Sequence, residues 1–334
     1  MEMPVSPAAL PPALPSVFTT SEALAAGVGR ERLRRGDLVQ IVRGLYRREE
    51  VMASESEIVA AYQRQVPGAF AMGTTAARLW GFPLPGVLDI PVVEASRQLR
   101  RRQARTAYPV QRSGPDRRIH LGAPDGSHRS TSLVRWSCPR LDAMPLATAD
   151  DLVRTSRLHT YLQLGTSVGL DSLVAIGDHL VRIPRPRYEG RNRPFATIDE
   201  LKDAAGHFTG RGAARLREAV ELVRRSADSP PETSLRLAFV RAGLPEPLAN
   251  GRAAHAGSDL GEPDLQWPQW RVIVEYEGPR HRSPEQRQKD AARDERRKLA
   301  GWIDLPMVAA DLAAGCASAV NRVRAALHSQ GWAG

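Results

Sequence analysis

The segment "PDLQWPQWRVIVEYEGPRH", residues 263–281, constrains the fold most strongly, because it combines a β pattern with closely spaced carboxylates. Side chains alternate between the two faces of a strand. One face is apolar and is formed by Val272, Val274 and Tyr276. Ile273, Glu275 and Glu277 share the other face, where the two glutamates lie about 7 Å apart at ~3.4 Å per residue. The segment therefore predicts a strand whose C-terminal end is acidic.

The residues ahead of this strand can pair with it as an antiparallel hairpin whose two-residue loop is Gln269-Trp270. Two pairs of apolar residues then define the register: Trp267 with Val272, and Leu265 with Val274. In this register Asp264 falls directly opposite Glu275, with Cβ atoms about 5 Å apart. Like charges in such a position destabilise a sheet unless something offsets them.

A third carboxylate belongs to the helix predicted before this hairpin. In "SPPETSLRLAFVRAGLP", Ser229 is followed three residues later by Glu232, which is the spacing of a capping box. The prolines suit the first turn of a helix. Glu232 is therefore either a helix cap or a ligand that acts with Asp264 and Glu275.

Three physical arrangements would offset the paired carboxylates. Hard carboxylate oxygens suit Mg²⁺ or Mn²⁺, so a divalent cation held by Glu232, Asp264 and Glu275 is the preferred interpretation. A proton shared between two carboxylates would serve as well. Neighbouring arginines, which are plentiful in this segment, are the third alternative.

Composition limits the class of protein. The 334 residues suggest two or three domains. The two cysteines, Cys138 and Cys316, have neither disulfide-framework nor zinc-ligand spacing, so a reducing cytoplasm is expected, with no disulfides. There is no apolar run of membrane-spanning length, and the proline-rich start, residues 1–17, predicts a flexible tail rather than a signal peptide.

The formal net charge of +10 comes almost entirely from arginine. Codon bias accounts for part of the arginine content, but the excess over acidic residues favours a polyanionic partner such as duplex DNA. A basic surface without a function is the alternative.

The first block, residues 18–49, has the order helix, turn, helix, hairpin, which is that of a winged helix-turn-helix. Thr19 or Thr20 can cap the first helix, and the second is predicted from Arg30 to Arg35. Candidate DNA contacts lie on the second helix and the hairpin: Arg30, Arg32, Arg34, Arg35 and Arg43. A small domain that binds another protein is the alternative.

The remaining blocks follow from helical and strand patterns. Residues 51–182 predict an α+β middle domain, residues 183–228 a basic linker with helices, and residues 229–334 the domain that carries the carboxylates. The stretch "SRQLRRRQAR", residues 96–105, could grip a phosphate backbone or be a solvated loop.

At the carboxylates the chain resembles the very-short-patch-repair-like nuclease domains of the PD-(D/E)XK superfamily. The segments that carry the resemblance are "PDLQWPQWRVIVEYEGPRH" and "KDAARDERRKLAGW". It covers about residues 229–310 and implies a restriction-endonuclease-like mixed sheet flanked by helices. The whole chain is thus predicted to be α/β, as an α+β multidomain protein.

The resemblance also implies roles for individual residues. It makes Glu232, Asp264 and Glu275 ligands of Mg²⁺ or Mn²⁺ and places Glu277, Gly278 and His281 in a signature that follows. His281 is expected to transfer a proton, since its ordinary pKa suits that task. Lys289 and Arg293 are expected to stabilise developing charge. Their helical i, i+4 spacing places them on one face.

The chain departs from the superfamily pattern at the usual lysine, where Glu277 stands. His281, Lys289 or Arg293 must then act in its place, or Glu277 must bind an additional metal. Asp304 and Pro306 fall where a closing strand is expected, and proline removes a hydrogen-bond donor from such a strand. An inactive, decayed nuclease domain is therefore the alternative to an active one.

The N-terminal blocks resemble AbiEi-type antitoxins, on "TTSEALAAGV", "IVRGLYRR" and "TTAARLWGF", over about residues 18–85. This resemblance implies a DNA-binding antitoxin or regulator with a cognate toxin protein as partner, in an architecture found in actinobacteria. The two hypotheses are thus a Mg²⁺-dependent deoxyribonuclease and a DNA-binding antitoxin with an inactive nuclease-like domain.

Overall fold

The computed structural model of the protein describes residues 9–89, 116–124, 128, 130–138, 144–225, 227–278 and 284–334. They form a mixed α/β structure with several sheets. The chain divides into two compact units, Met1–Ser167 and Val168–Gly334. Within the described ranges, no helix has the length and apolar composition needed to cross a bilayer. Cys138 and Cys316 are both free thiols.

The first unit begins with a three-stranded antiparallel sheet in the order β1-β3-β2. Its strands are β1 (Val17–Thr19), β2 (Leu38–Val42) and β3 (Leu45–Arg48). Helix α1 (Thr20–Ala25) starts at a capping box, because the Thr19 hydroxyl accepts a hydrogen bond from the Glu22 backbone N–H and the Glu22 carboxylate accepts one from Thr19. The predicted first helix and hairpin are confirmed.

The second predicted helix does not form as an α-helix. Instead of a helix from Arg30 to Arg35, the chain makes one 3₁₀ turn, Arg32–Arg34. Leu33 of this turn is buried beside Phe18 in a small core. A single turn offers less contact surface than the helix with which helix-turn-helix proteins enter the major groove.

A five-stranded mixed sheet in the order β6-β5-β4-β8-β7 supports the rest of the first unit. Its strands are β4 (Phe70–Ala71), β5 (Ile119–Gly122), β6 (Val134–Ser137), β7 (Leu146–Ala149) and β8 (Leu152–Thr155). The helices of this region are α2 (Glu55–Gln65), α3 (Gly73–Leu79), α4 (Gly86–Asp89) and α5 (Arg157–Gln163). Ile41 and Leu45 share one core with Ile58 and Ile119, so residues 18–50 pack continuously with this region.

The N-terminal segment also packs onto this unit. Leu14 and Val17, which the sequence assigned to a tail, are buried. Leu14 and Val17 are therefore not part of a flexible tail. The arginine run of residues 96–105 lies outside the described residues.

The second unit begins with helices. They are α6 (Leu170–Val181), α7 (Pro186–Glu189), α8 (Ile198–His207), α9 (Ala213–Leu222) and α10 (Pro230–Arg241). Asp178 of α6 is buried and accepts hydrogen bonds from the Arg224 backbone N–H (2.6 Å), Thr233 Oγ1 (2.7 Å) and Arg236 Nη2 (3.2 Å). These contacts group α6 with the second unit, whereas the sequence pattern placed it at the end of the middle domain.

A four-stranded sheet in the order β14-β13-β12-β9 forms the centre of the second unit. The strands of the second unit are β9 (Leu248–Ala249), β10 (Ala253–His255), β11 (Ser258–Gly261), β12 (Leu265–Trp267), β13 (Val272–Tyr276) and β14 (Ile303–Met307), of which β10 and β11 form a separate hairpin. Its last helices are α11 (Pro284–Leu299) and α12 (Ala317–Ser329). Val274 packs with Phe239 and Val323, whereas Ile273 packs with Leu260 and Trp302, so the two predicted faces of β13 are confirmed.

The pairing of β12 with β13 has the predicted register. Two residue pairs define it: Leu265 with Val274, and Trp267 with Val272. The connection differs from the predicted two-residue loop, since a 3₁₀ turn, Pro268–Trp270, is followed by Arg271 at φ 51°. Strand β14 closes the sheet in parallel with β13 and tolerates Pro306 because it lies at the edge.

We expect Arg236→Met to destabilise the second unit strongly, since Asp178 would remain as a buried charge without its guanidinium. Asp178 and Arg236 are each 1% exposed. Breaking one partner of such a pair costs on the order of 3–5 kcal/mol. Urea unfolding of the full chain, followed by tryptophan fluorescence, measures the loss.

The matched control is Arg241→Met on the same helix. Arg241 pairs with Asp171 at an exposed position, and such pairs contribute about 1 kcal/mol or less. Equal losses for the two variants would contradict the role assigned to Asp178 burial.

Candidate functional site

The C-terminal end of β13 carries the first of the predicted site residues. Glu275 lies on the face of the sheet that the arginines of α11 reach. Arg297 Nη1 is 2.6 Å from Glu275 Oε1, and Arg293 Nη2 is 3.2 Å from Glu275 Oε2. Neighbouring arginines, one of the three arrangements considered from the sequence, therefore offset the charge of Glu275.

Asp264 immediately precedes β12 at the same end of the sheet, and its Oδ2 accepts a hydrogen bond from the Tyr276 backbone N–H at 2.6 Å. Burial, and then the negative charges of Glu232 and Glu275, raise the pKa of Asp264 to about 7, although the Tyr276 hydrogen bond opposes this shift. Among the described residues no lysine or arginine forms an ion pair with Asp264. Its negative charge is therefore not offset by a fixed cation there.

Glu232, in the first turn of α10, is buried and accepts three hydrogen bonds. Its donors are Ser229 Oγ (2.7 Å), the Asp228 backbone N–H (2.9 Å) and Asn250 Nδ2 (2.7 Å). Ser229 donates to Glu232 instead of accepting from the helix backbone, so the predicted reciprocal capping box is not formed. Burial raises the pKa of Glu232. The backbone N–H of Asn250 also donates to the Asp264 carbonyl at 2.9 Å, which links Glu232 to Asp264.

The remaining predicted catalytic residues are Glu277, His281, Lys289 and Arg293, and one of them contacts a predicted metal ligand in the described part of the chain. Glu277 is exposed, and its backbone N–H donates to the Met307 carbonyl at 2.7 Å, continuing the pairing of β13 with β14. Lys289 belongs to α11, but its side chain lies outside what the structure describes, and so does His281. Arg293 is the residue of this group that the structure places against a predicted ligand, Glu275.

Sequence reasoning missed Arg297, which is 0% exposed. Its Nε donates to the Leu260 carbonyl at 2.9 Å, and its Nη1 donates to Asp304 Oδ2 at 2.6 Å. Burial raises the pKa of Asp304, although the Arg297 hydrogen bond opposes the shift. Its spacing could have identified Arg297 from the sequence, because it follows Arg293 by four residues and therefore lies on the same side of the helix.

A complete protein cage for a metal is not assembled from the predicted ligands. In the described part of the chain, no group of three or more His, Cys, Asp or Glu side chains is arranged so that it could hold a metal ion. The donor chemistry nevertheless fits Mg²⁺, which proteins commonly bind through one or two carboxylates together with water and substrate phosphates. Asp264 and Glu232 would be those carboxylates, because Glu275 is held by arginines.

The N-terminal candidates for DNA contact lie on the surface of the first unit, with one exception. Arg30, Arg34, Arg35 and Arg43 are exposed. Arg32 instead binds Asp37 through two hydrogen bonds of 2.7 and 2.6 Å, and these lower the pKa of Asp37. Arg32 therefore ties the 3₁₀ turn to the start of the hairpin.

Comparison with known proteins identifies distant relatives of this chain. No family model matches this chain. Two uncharacterized proteins, from two strains of Mycobacterium tuberculosis, are each 29% identical to it over 156 residues. The match covers 41% of this chain and 58% of each relative, so the chain spans little more than half the length of the curated relatives that it matches. The nuclease-like and antitoxin-like resemblances stay predictions.

We expect Asp264→Asn to flatten the pH dependence of the free energy of unfolding. The folded pKa of about 7 exceeds the ordinary value of 3.8, so the folded state binds the Asp264 proton more tightly than the unfolded state does. The stability that this proton contributes is fully present below pH 3.8 and is lost as the pH rises towards 7. Urea unfolding at several pH values across this window measures the slope.

The exposed residue Asp199 of α8 offers a matched control. Asp199→Asn removes the same charge from the second unit but should keep the wild-type slope. If Asp264→Asn and wild type lose stability equally as the pH rises through this window, the carboxyl of Asp264 is not the group that takes up the proton.

Proposed function

We propose that the protein binds duplex DNA and hydrolyses its phosphodiester bonds with a divalent cation held at Asp264 and Glu232. The observation that carries the proposal is the half-buried Asp264 carboxyl, which has no ion pair among the described residues and is linked through Asn250 to the buried carboxylate of Glu232. A cation would offset this unbalanced negative charge directly. The resemblance of residues 229–310 to PD-(D/E)XK nuclease domains supports the same chemistry.

Each residue of the site has a definite task in this proposal. When bound, Mg²⁺ or Mn²⁺ would polarise a phosphate oxygen and lower the pKa of a water molecule. Asp264 and Glu232 would hold the ion, and Glu275 would add its Oε2 atom to their negative field. Arg293 would bind a non-bridging phosphate oxygen, since guanidinium groups suit that geometry. Proton transfer is assigned to His281 from the sequence pattern.

In this proposal the first unit binds the DNA duplex. The exposed arginines of the 3₁₀ turn and the hairpin would contact backbone phosphates, a mode of binding that needs no recognition helix. The net charge of +10 supports a polyanionic partner.

A second candidate function is that of a DNA-binding antitoxin or regulator whose nuclease-like region does not cleave. The observation that favours it is the pair of guanidinium groups on Glu275, which occupy both oxygens of a predicted ligand. The AbiEi resemblance would then imply a cognate toxin as a further partner.

We expect the full chain to nick supercoiled plasmid in Mg²⁺ or Mn²⁺ and to stop in EDTA. Asp264→Asn and Glu232→Gln should each lower the nicking rate by about 100-fold or more, because metal-derived charge stabilisation amounts to several kcal/mol. Agarose gels of the time course measure the rate.

Asp199→Asn is the control for these variants, since it removes an exposed carboxylate from the same unit. Nicking that persists in EDTA, or that survives Asp264→Asn, would refute the hydrolytic proposal. Specific DNA binding without any nicking would leave the second candidate.

We expect Arg34→Gln/Arg35→Gln to weaken binding to short duplexes at every sequence, whichever candidate holds. Each lost phosphate contact should lower the slope of log K against log salt concentration by about 1. Fluorescence anisotropy at several salt concentrations measures the slope. Lys202→Gln/Arg211→Gln removes two exposed charges from the second unit and should leave the slope unchanged. An unchanged slope in Arg34→Gln/Arg35→Gln would show that these two arginines do not contact DNA phosphates.

A further inference from the structure

Glu275 is held by two arginines whose environments differ. Arg297 is 0% exposed, and its Nη1 lies 2.6 Å from Glu275 Oε1. Arg293 is 25% exposed, and its Nη2 lies 3.2 Å from Glu275 Oε2. One oxygen of this carboxylate is therefore bound by a buried group, and the other by a group that solvent reaches.

Arg297 is fixed in place by several contacts. Its Nη1 also lies 2.6 Å from Asp304 Oδ2, and its Nε donates to the Leu260 carbonyl. Moving this buried guanidinium would leave the half-buried carboxylates of Glu275 and Asp304 without their shared cation, which is energetically unfavourable. Glu275 Oε1 therefore keeps Arg297 as its partner whatever binds nearby.

Arg293 has weaker attachments at its tip. Besides Glu275, its Nη1 lies 3.3 Å from Asp290 Oδ1 and its Nε lies 4.0 Å from Asp294 Oδ1, both on the same helix, and the Nε makes no hydrogen bond in the described structure. The stem is anchored against Gly261, where an added Cβ would lie 2.8 Å from Arg293 Cδ. The guanidinium can therefore turn about a fixed stem.

A guanidinium and a divalent cation compete for the same carboxylate oxygen, because both are positive and both take up its lone pairs. Phosphate oxygens are a strong alternative partner for arginine, through charge-assisted and often bidentate hydrogen bonds. A phosphate that draws Arg293 away would release Glu275 Oε2 beside Asp264.

We propose that Arg293 is a displaceable counter-ion that occupies Glu275 Oε2 until a nucleic-acid phosphate binds it. The cation and the phosphate then bind this site cooperatively. The inference rests on the proposed function in one respect, namely that the site takes a divalent cation. It does not require hydrolysis. Because coupling between two ligands is reciprocal, DNA must tighten cation binding by the same factor by which the cation tightens DNA binding.

The test is Mn²⁺ binding to the full chain, measured by electron paramagnetic resonance with and without a short DNA duplex. The Mn²⁺ that the duplex binds by itself, and the Mn²⁺ that remains bound to Asp264→Asn with duplex, are subtracted. In wild type the duplex should tighten Mn²⁺ binding about 5- to 150-fold, the usual range of coupling between sites.

Arg293→Gln removes the positive charge that lies against Glu275 Oε2. This variant should bind Mn²⁺ more tightly than wild type without duplex, and the duplex should no longer tighten that binding. Arg296→Gln is the matched control, since Arg296 is exposed on the same helix and its Nε donates to the Asp259 carbonyl rather than to Glu275. It should retain the wild-type coupling. Circular dichroism establishes that both variants are folded.

Equal Mn²⁺ affinity of wild type with and without duplex would overturn the proposal, and so would coupling that persists in Arg293→Gln. Absence of Mn²⁺ binding to wild type under both conditions would overturn it as well. The two proposals fail separately: coupling without plasmid nicking would exclude hydrolysis, whereas nicking without coupling would exclude only the role of Arg293 as a displaceable counter-ion.

Discussion

The antiparallel pairing of β12 with β13 is the constraint on which the candidate site depends. Its register places Asp264 at the end of the sheet that carries Glu275, the fourth residue of β13, and the Tyr276 N–H donates to Asp264 Oδ2. A shift by one residue would reverse the faces of all these side chains. Both faces of β13 are buried against apolar neighbours, so the core itself enforces this register.

Around this end of the sheet the charges are balanced unevenly. Glu275 and Asp304 share the buried Arg297, whereas Asp264 and Glu232 have hydrogen bonds but no ion pair within the described residues. The cost of desolvation therefore remains on Asp264 and appears as its raised pKa. Carboxylates that lack a counter-ion and have shifted pKa values are typical of binding and catalytic sites, although they lower the stability of the fold around them.

Much of the second unit followed from local sequence patterns. The alternation of residues 271–277 predicted the two faces of β13, and the apolar pairs predicted its register, because both depend on neighbours close in sequence. The loop type was predicted wrongly, since Arg271 adopts a left-handed conformation that no rule for its residue type indicates. In the first unit, the turn at Arg32–Arg34 replaced a helix because burial of Leu33 and the Arg32–Asp37 pair favour a compact turn there.

The sequence by itself determined that acidic residues stand near the end of a strand, that arginines follow on a helix, and that the chain contains both α and β elements. Only the tertiary structure decided which carboxylates are neutralised by arginine and which are not. The reason is that ion pairing and desolvation depend on distances between elements that are far apart in the chain. Arg297 meets Glu275 and Asp304 only once α11 has packed on the sheet.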